Sequence, residues 1–328
     1  MLTLLALIRL YVPIAAVVLL GFGIGKLVRI PGIQRRTEVP LGEQVPAALG
    51  KFLFWVGVPV GIVGFLHQAD LSGQIFLAPV VGWAAMLLGL FCGSLWLKSK
   101  RSNWPRSRQG SFSLATMLGN TGSIGYPVVL LLPQLGPDYF GWALFYDALG
   151  TLPGAYGFGV VLASQFGDRP LSGLHARSRW LAHLLEIIRN PTIVAFCIAI
   201  ALRPVPFPAV LDSFLYRCGW LMVMLSLVLM GLRLHQITSW RSLKPAAIAV
   251  GIKMLLIPLV IGLALTLLGV DGPSRLVLVV QAGMPCAFAT LILAEAYDLD
   301  RELAITCLGL SSTLLMLTLP VWLWGFAP

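Results

Sequence analysis

The sequence predicts an all-α integral membrane protein in which ten transmembrane helices form two inverted five-helix repeats. Three observations predict this fold class. The 328 residues are 58% hydrophobic and only 11% charged, whereas a soluble domain carries about 25% charged residues. The apolar residues fall into ten runs, most of them long enough for a helix to cross a bilayer. The fourth and ninth runs are both interrupted by glycine and proline.

The ten runs follow one another along the chain with mostly short polar connections. They lie at about 10–28, 48–66, 75–97, 111–132, 139–165, 187–203, 210–232, 246–268, 274–295 and 301–325. The first run is predicted to be a retained span and not a signal peptide, because Arg9 interrupts its apolar start and no clear small-residue cleavage site precedes Lys26.

The longest polar connection divides the ten runs five and five. We therefore predict a first five-helix repeat at 1–165, a cytoplasmic connecting loop at 166–189 and an inverted second repeat at 190–328. Because each half has an odd number of spans, the second half lies in the membrane in the opposite orientation to the first. The interruptions at Pro127 and Pro285 lie in the fourth span of each half, and such a match favours an inverted repeat.

The basic residues predict the orientation in the membrane. Cytoplasmic loops carry the excess of Lys and Arg, and eighteen basic residues lie in alternate connections against four in the others. We therefore predict a multi-pass protein of the cell (inner) membrane with both termini extracytoplasmic. The net charge of +10 then belongs to the cytoplasmic loops, and no nucleic acid partner is expected. The basic set comprises Lys26, Arg29, Arg35, Arg36, Lys51, Lys98, Lys100, Arg101, Arg106, Arg108, Arg169, Arg177, Arg179, Arg189, Arg233, Arg241, Lys244 and Arg301.

The interruption of the fourth run is the strongest local signal. Its residues at 119–127 read Gly-Asn-Thr-Gly-Ser-Ile-Gly-Tyr-Pro, which is unfavourable in a continuous lipid-facing helix. Backbone freed from a helix at membrane depth is tolerated only where protein or a water-filled cavity satisfies it. Broken helices of this kind mark binding sites in secondary transporters. The ninth run has a similar break at Gly283-Met284-Pro285, so we predict a site between the two breaks.

Residues in and beside the breaks are candidates for substrate binding. Amide side chains can donate to a carboxylate, and helix amides after a proline direct partial positive charge at an anion. Neither group carries a full charge, so weak binding is expected. The alternatives are that the amides cap the backbone, that the prolines only kink the helices, and that glycines 119, 122 and 125 only permit close packing. The candidates are Asn120, Thr121, Gly122, Pro127, Gln281 and Pro285.

Two ionisable residues are predicted at similar depth in the membrane. Asp147 lies about eight residues into the fifth run and Lys253 about as far into the eighth. Ionisable residues at such depth are usually functional, so both are candidates for coupling to H+ or Na+. The alternatives are a structural cap or ion pair for Asp147 and a cytoplasm-directed side chain for Lys253. No other cofactor and no metal site are predicted, because no ligand spacing occurs.

Several of these segments resemble a known family. GNTGSIGYP at 119–127, Asn190-Pro191 and GMPCAFATLILAEAYDLDRELA at 283–304 resemble bacterial members of the auxin efflux carrier family, which is grouped with bile-acid/Na+ symporter-like and Na+/H+ antiporter-like transporters. The resemblance covers essentially the whole chain. It implies crossed broken helices 4 and 9 and an elevator-like movement of a core against a scaffold.

The family resemblance also implies a substrate class. Its members carry mostly organic anions, including auxin-type and dicarboxylate acids. By the family pattern, Asn120 and Pro127 match the first crossover and Pro285 the second. Members often have a polar residue such as Asn just after the second proline, whereas this chain continues Cys286-Ala287-Phe288.

The sequence thus favours a secondary carrier of a small organic anion with elevator-type alternating access. The alternative is a non-transporting membrane sensor or ligand-binding scaffold on the same fold. An intramembrane enzyme is disfavoured, because the spans contain no cluster of nucleophile, base and metal ligands. The expected partners are the organic anion and the lipid bilayer, and the oligomeric state stays open, with a homodimer as one alternative.

The orientation is testable by cysteine labelling. In a background without the five native cysteines, single cysteines at Arg106 and Arg177 should react with an impermeant reagent only from the cytoplasm. A cysteine at Asp138 should react only from outside, because the loop charges place that connection there. Labelling of position 138 from the cytoplasm alone would overturn both the orientation and the inverted repeat.

Overall fold

The computed structural model describes residues 4–28, 41–69, 71, 73–99, 104–167, 188–234 and 242–327. Most of the predicted connecting loop at 166–189 lies outside the described residues. So do nine basic residues of the predicted cytoplasmic set, which are Arg29, Arg35, Arg36, Lys100, Arg101, Arg169, Arg177, Arg179 and Arg241.

Helices lie over all ten predicted runs. In the first half these are α1 (Leu4–Val28), α2 (Leu41–Phe52), α3 (Val58–Gln68), α4 (Leu77–Ser99), α5 (Arg106–Met117), α6 (Tyr126–Leu131), α7 (Phe140–Tyr146) and α8 (Val160–Phe166). In the second half these are α9 (Pro191–Leu202), α10 (Ala209–Leu234), α11 (Leu243–Gly251), α12 (Ile257–Leu267), α13 (Gly272–Ala282), α14 (Phe288–Ala296) and α15 (Arg301–Gly325).

Among the described residues, five helical stretches are long and apolar enough to cross a membrane, which makes the chain a helical membrane protein. They are Gln44–Gln68, Leu77–Ser99, Ala209–Arg233, Leu243–Leu267 and Arg301–Gly325. Three shorter apolar helices are Ile14–Leu27, Thr121–Leu131 and Pro191–Leu202. The fourth run contributes only a short stretch because its break divides it.

Wide helical turns join several of these helices, and proline explains them. Four π-helical turns, Leu53–Gly57, Thr121–Gly125, Asp147–Thr151 and Ile252–Leu256, are each followed two residues later by a proline. Proline has no N–H to donate to the carbonyl four residues earlier and its ring crowds that turn. A π-helical turn accommodates the missing bond, and such turns occur frequently at functional sites.

The chain forms two compact units, each assembled from both halves of the sequence. Unit 1 comprises Met1–Asp70, Tyr126–Gly141 and Pro191–Thr238, and unit 2 comprises Leu71–Gly125, Trp142–Asn190 and Ser239–Pro328. The two units are groups of residues that pack compactly together. They do not test the division into two sequential repeats, which stays a prediction.

Within unit 1, α1 and α10 approach closely at two glycines. A Cβ atom on Gly21 would lie 2.2 Å from the carbonyl oxygen of Val228, and one on Gly231 would lie 2.0 Å from that of Val18. Small residues allow membrane helices to pack with their backbones in contact. Unit 2 instead has a packed apolar core that includes Leu114, Leu118 and Leu293, and it contains both breaks.

Candidate functional site

The two predicted breaks meet inside unit 2. Helix α5 ends at Met117 and α13 ends at Ala282, and the extended residues that follow them form an antiparallel bridge between Gly119 and Cys286. The N–H of Asn120 donates to the carbonyl of Pro285 at 2.7 Å. In the same bridge, the N–H of Ala287 donates to the carbonyl of Leu118 at 3.0 Å. Two interruptions about 160 residues apart in the sequence therefore form one structure.

The C-terminal end of α13 is fully capped at this crossing. A helix leaves its last four carbonyl groups without partners of its own. Here the N–H of Gly283 donates to the first two and the N–H of Met284 to the third. The ammonium group of Lys253 donates to the fourth, with 3.2 Å between Nζ and the oxygen. The four carbonyl groups belong to Val279, Val280, Gln281 and Ala282.

The second break is also tied to neighbouring helices. The N–H of Cys286 donates to the hydroxyl of Ser311 at 3.1 Å, and its thiol lies 3.4 Å from the carbonyl oxygen of Ala115. Proline has no N–H, so Pro285 can occupy the extended segment without leaving a donor unpaired. The break thus satisfies its backbone within the protein, as membrane depth requires.

Lys253 reaches the crossing instead of the cytoplasm. It lies in the π-helical turn Ile252–Leu256, only 2% of its surface is exposed, and Nζ would be 3.1 Å from a Cβ atom on Gly119. Its side chain therefore contacts the first break and caps the helix before the second. The sequence left the direction of this side chain open, and the structure brings its ammonium group to the crossing.

Asp147 is tied to the other end of the first break. It opens the π-helical turn Asp147–Thr151 and is 6% exposed. The hydroxyl of Thr121, the first helical residue after the break, donates a short hydrogen bond to its Oδ1 atom. The two ionisable candidates therefore contact the same short segment, at Gly119 and at Thr121.

Two tryptophans support these π-helical turns, and our sequence analysis did not identify them. Pro153 leaves the carbonyl of Leu149 without its helical donor, and the indole N–H of Trp83 donates to it at 3.1 Å. Pro258 does the same to the carbonyl of Met254, which accepts from the indole of Trp322 at 3.1 Å. The available signal was a proline four residues after each carbonyl in an apolar span, but the sequence does not say which side chain replaces the missing donor.

The two amide candidates at the crossing retain unused hydrogen-bonding capacity. Asn120 is 6% exposed and Gln281 is 0% exposed. Among the residues that the structure describes, Nδ2 of Asn120 and both Oε1 and Nε2 of Gln281 have no hydrogen-bond partner. Buried polar groups are nearly always paired, so these three atoms require an explanation.

The glycines of the first break make room for polar side chains. A Cβ atom on Gly125 would lie 2.4 Å from Oε1 of Gln281 and 3.0 Å from its Nε2, so the amide lies directly against this glycine. Gly119 gives the same access to Lys253. Gly122 is half-buried. Two of the three glycines thus admit side chains at the crossing, beyond the close helix packing that the sequence left open.

The prolines occupy different local positions. Helix α6 begins one residue before Pro127 but continues the π-helical turn Thr121–Gly125, so the helix after the first break starts at Thr121 and not at the proline. Pro285 lies within the second break, and α14 starts at Phe288. Pro127 belongs to unit 1, whereas the other five binding candidates belong to unit 2.

Comparison with known proteins identifies relatives over most of the chain. Residues 175–323 match the family described as membrane transport protein. An uncharacterized transporter of Methanothermobacter thermautotrophicus is 27% identical over 289 residues, which cover 86% of this chain and 89% of that protein. An uncharacterized transporter of Methanocaldococcus jannaschii is 25% identical over 301 residues, which cover 87% and 91%.

The close approach at Gly125 gives a stability prediction. Gly125→Ala should lower the free energy of unfolding by about 1–3 kcal/mol, the usual cost of an overpacked buried site, because the new methyl group would lie 2.4 Å from Oε1 of the buried Gln281 amide. Gly251→Ala is the matched control, since a Cβ atom there meets nothing within 4 Å and alanine favours a helix. Thermal unfolding of both purified variants in detergent measures the difference. Equal stabilities would show that Gln281 does not lie against Gly125.

Proposed function

We propose that the chain is a secondary carrier of a small organic anion, because residues 175–323 match the family described as membrane transport protein and two relatives over most of the chain are named transporters. The family is one of transporters and not of enzymes. The anion binds where the breaks of the fourth and ninth helices meet. Its site comprises Asn120 and Lys253, with Thr121, Gly122, Gln281, Pro127 and Pro285 as the remaining candidates.

The observation that carries this proposal is the concentration of hydrogen-bond donors at the bridge between Gly119 and Cys286. Asn120 contributes a buried Nδ2 without a partner among the described residues, and Lys253 brings an ammonium group to Gly119. A buried donor left unpaired costs about 1–3 kcal/mol, which a bound carboxylate recovers by accepting. A group of donors beside a cation favours an anion over a neutral or cationic substrate.

Helix ends add to this preference. The helix after the first break starts at Thr121, and α14 starts at Phe288. The N-terminus of a helix carries partial positive charge from its first N–H groups, and it binds anions without further specialisation. Ala287, the residue that precedes α14, has no polar side chain to cap those groups.

The arrangement of the units supports an elevator-type mechanism on an inverted repeat. Unit 1 takes the first, second, sixth and seventh spans together with Tyr126–Leu131 of the fourth, whereas unit 2 takes most of the remaining spans of both halves. Equivalent elements of two inverted halves would be grouped in this way. The antiparallel bridge between Gly119 and Cys286 is itself compatible with a two-fold axis that relates the two halves of the chain. Unit 2 contains both breaks, so in a protein of ten transmembrane helices its movement relative to unit 1 would carry the anion across the membrane.

Asp147 is the candidate for ion coupling. Its carboxylate accepts from Thr121 at the start of the helix after the first break, so a change in its protonation or cation binding acts directly on the substrate-binding segment. A carboxylate in a medium of low dielectric constant takes up a proton or finds a positive partner. Coupling to H+ or Na+ through Asp147 follows from this position.

Removal of the Asn120 amide tests the site. Asn120→Ala should weaken uptake of a transported carboxylate by roughly 5- to 150-fold, because one hydrogen bond to a buried partner is worth about 1–3 kcal/mol. Pro285→Ala should impair the same activity, because it alters the geometry of the second break. Ser123→Ala is the control, since Ser123 lies in the same π-helical turn but is exposed. Counterflow in proteoliposomes gives uptake, and thermal unfolding shows that each variant is folded.

Wild-type uptake by a folded Asn120→Ala protein would contradict the proposed site. Carboxylate binding without any counterflow in the wild-type protein would contradict the carrier and support the sensor alternative.

The role of Asp147 predicts a loss of ion dependence. Asp147→Asn preserves the shape of the side chain but removes its titration, so uptake should lose its dependence on pH or Na+ while the protein remains folded. Asp138→Asn, at an exposed position outside the site, should keep the wild-type profile. Uptake measured from pH 5 to pH 8, with and without Na+, distinguishes the two variants. An unchanged profile in Asp147→Asn would assign this residue a structural role only.

A further inference from the structure

Gln281 carries a primary amide that is wholly enclosed in the protein. Its exposed fraction is 0%, and in the described part of the chain neither its carbonyl oxygen nor its amino group has a hydrogen-bond partner. An amide has one acceptor group and two donor hydrogens. Leaving both kinds unpaired in the interior destabilises a protein, so a conspicuous unpaired amide suggests a ligand that completes it.

The position of this amide places it at the proposed binding site. Gln281 lies in the last turn of α13, and its backbone carbonyl accepts from Met284 at the second break. Its side chain lies against Gly125 of the first break, whose N–H in turn donates to the backbone carbonyl of Asn120 at 3.1 Å. The two unpaired amides of Asn120 and Gln281 therefore border the same turn.

The hydrogen-bonding requirements of these amides are not the same. Nδ2 of Asn120, Nε2 of Gln281 and the ammonium of Lys253 are donors, and a carboxylate can accept from any of them. The carbonyl oxygen of Gln281 is an acceptor, and a carboxylate has nothing to donate to it. Both terminal atoms of the Gln281 side chain lack partners, so the amide presents an unpaired acceptor in either orientation.

We propose that the transported anion carries a hydroxyl or N–H group beside its carboxylate, and that the carbonyl oxygen of Gln281 selects this group. The inference rests on the proposed function, because it concerns the same site. Because Gln281 is enclosed in this structure, the contact requires a conformation in which the substrate reaches this side chain. An analogue that lacks the donor leaves the oxygen unpaired, and sites of this kind discriminate strongly against such analogues.

Matched pairs of carboxylates test the proposal. Each pair has a similar skeleton, and only one member has the donor beside the carboxylate: lactate and propionate, malate and succinate, and glycolate and acetate. For the pair that the wild-type protein carries, uptake efficiency in proteoliposomes should be about 5- to 150-fold higher for the member with the donor, which is the range expected for one hydrogen bond.

Gln281→Met should abolish this preference, because methionine has a similar length and no hydrogen-bonding amide. The thermal unfolding temperature of the empty variant should stay the same or rise, since the substitution removes an unpaired buried polar group. A merely structural role for Gln281 would lower that temperature. Gln165→Met, at an exposed position at the end of α8, is the matched control and should keep both the wild-type preference and stability.

Each remaining outcome contradicts the proposal in a distinct way. Equal uptake of both members of every carried pair would overturn the selection and would indicate that a resident water satisfies Gln281. A preference that persists in Gln281→Met would assign the selection to another residue. If the wild-type protein carries none of the six acids, the proposed function itself fails, and the inference fails with it.

Discussion

Hydrogen bonding of the backbone at membrane depth is the constraint on which this structure depends. In hydrocarbon, an N–H or C=O group without a partner costs several kcal/mol, so a helix cannot simply stop there. Helices α5 and α13 can stop because each break supplies partners to the other. The bonds from Asn120 to Pro285 and from Ala287 to Leu118 hold the two breaks together, and the site is built around them.

The same constraint separates supporting side chains from candidate binding side chains. Lys253 donates to the last carbonyl of α13, Ser311 accepts from Cys286, and Trp83 and Trp322 each donate to a carbonyl that a proline has deprived of its helical donor. These groups complete the backbone. Asn120 and Gln281 lie in the same region but retain unused donors and an unused acceptor. A ligand is the natural partner for them, and the similarity of the chain to transporters gives a reason for one to be there.

Charge and helix geometry are connected at the site. Asp147 and Lys253 both lie in π-helical turns that precede a proline, and both contact the first break, through Thr121 and beside Gly119. Lys253 caps a helix end, where the partial negative charge of the carbonyl groups stabilises its ammonium. It therefore has a structural role even if it also contacts the anion, whereas the carboxylate of Asp147 accepts from the hydroxyl of Thr121 in the binding segment.

The sequence by itself determined the membrane class, the position of the helices and the location of both breaks. These features depend on local composition: apolar runs form helices in a bilayer, and the clusters at 119–127 and 283–285 cannot continue one. The motifs also indicated the family. Asn120, Gln281, Asp147 and Lys253 were found for the same reason, since a polar residue in an apolar run is conspicuous.

Only the tertiary structure decided how these residues meet. The pairing of Gly119 with Cys286, the approach of Lys253 to the crossing and the position of Gln281 against Gly125 join residues that are more than 130 positions apart in the sequence. Such contacts depend on the register and rotation of packed helices, which local composition does not specify. Whether a buried amide is paired or unpaired depends on the same packing, so the atoms that remain for a substrate could be identified only in the folded protein.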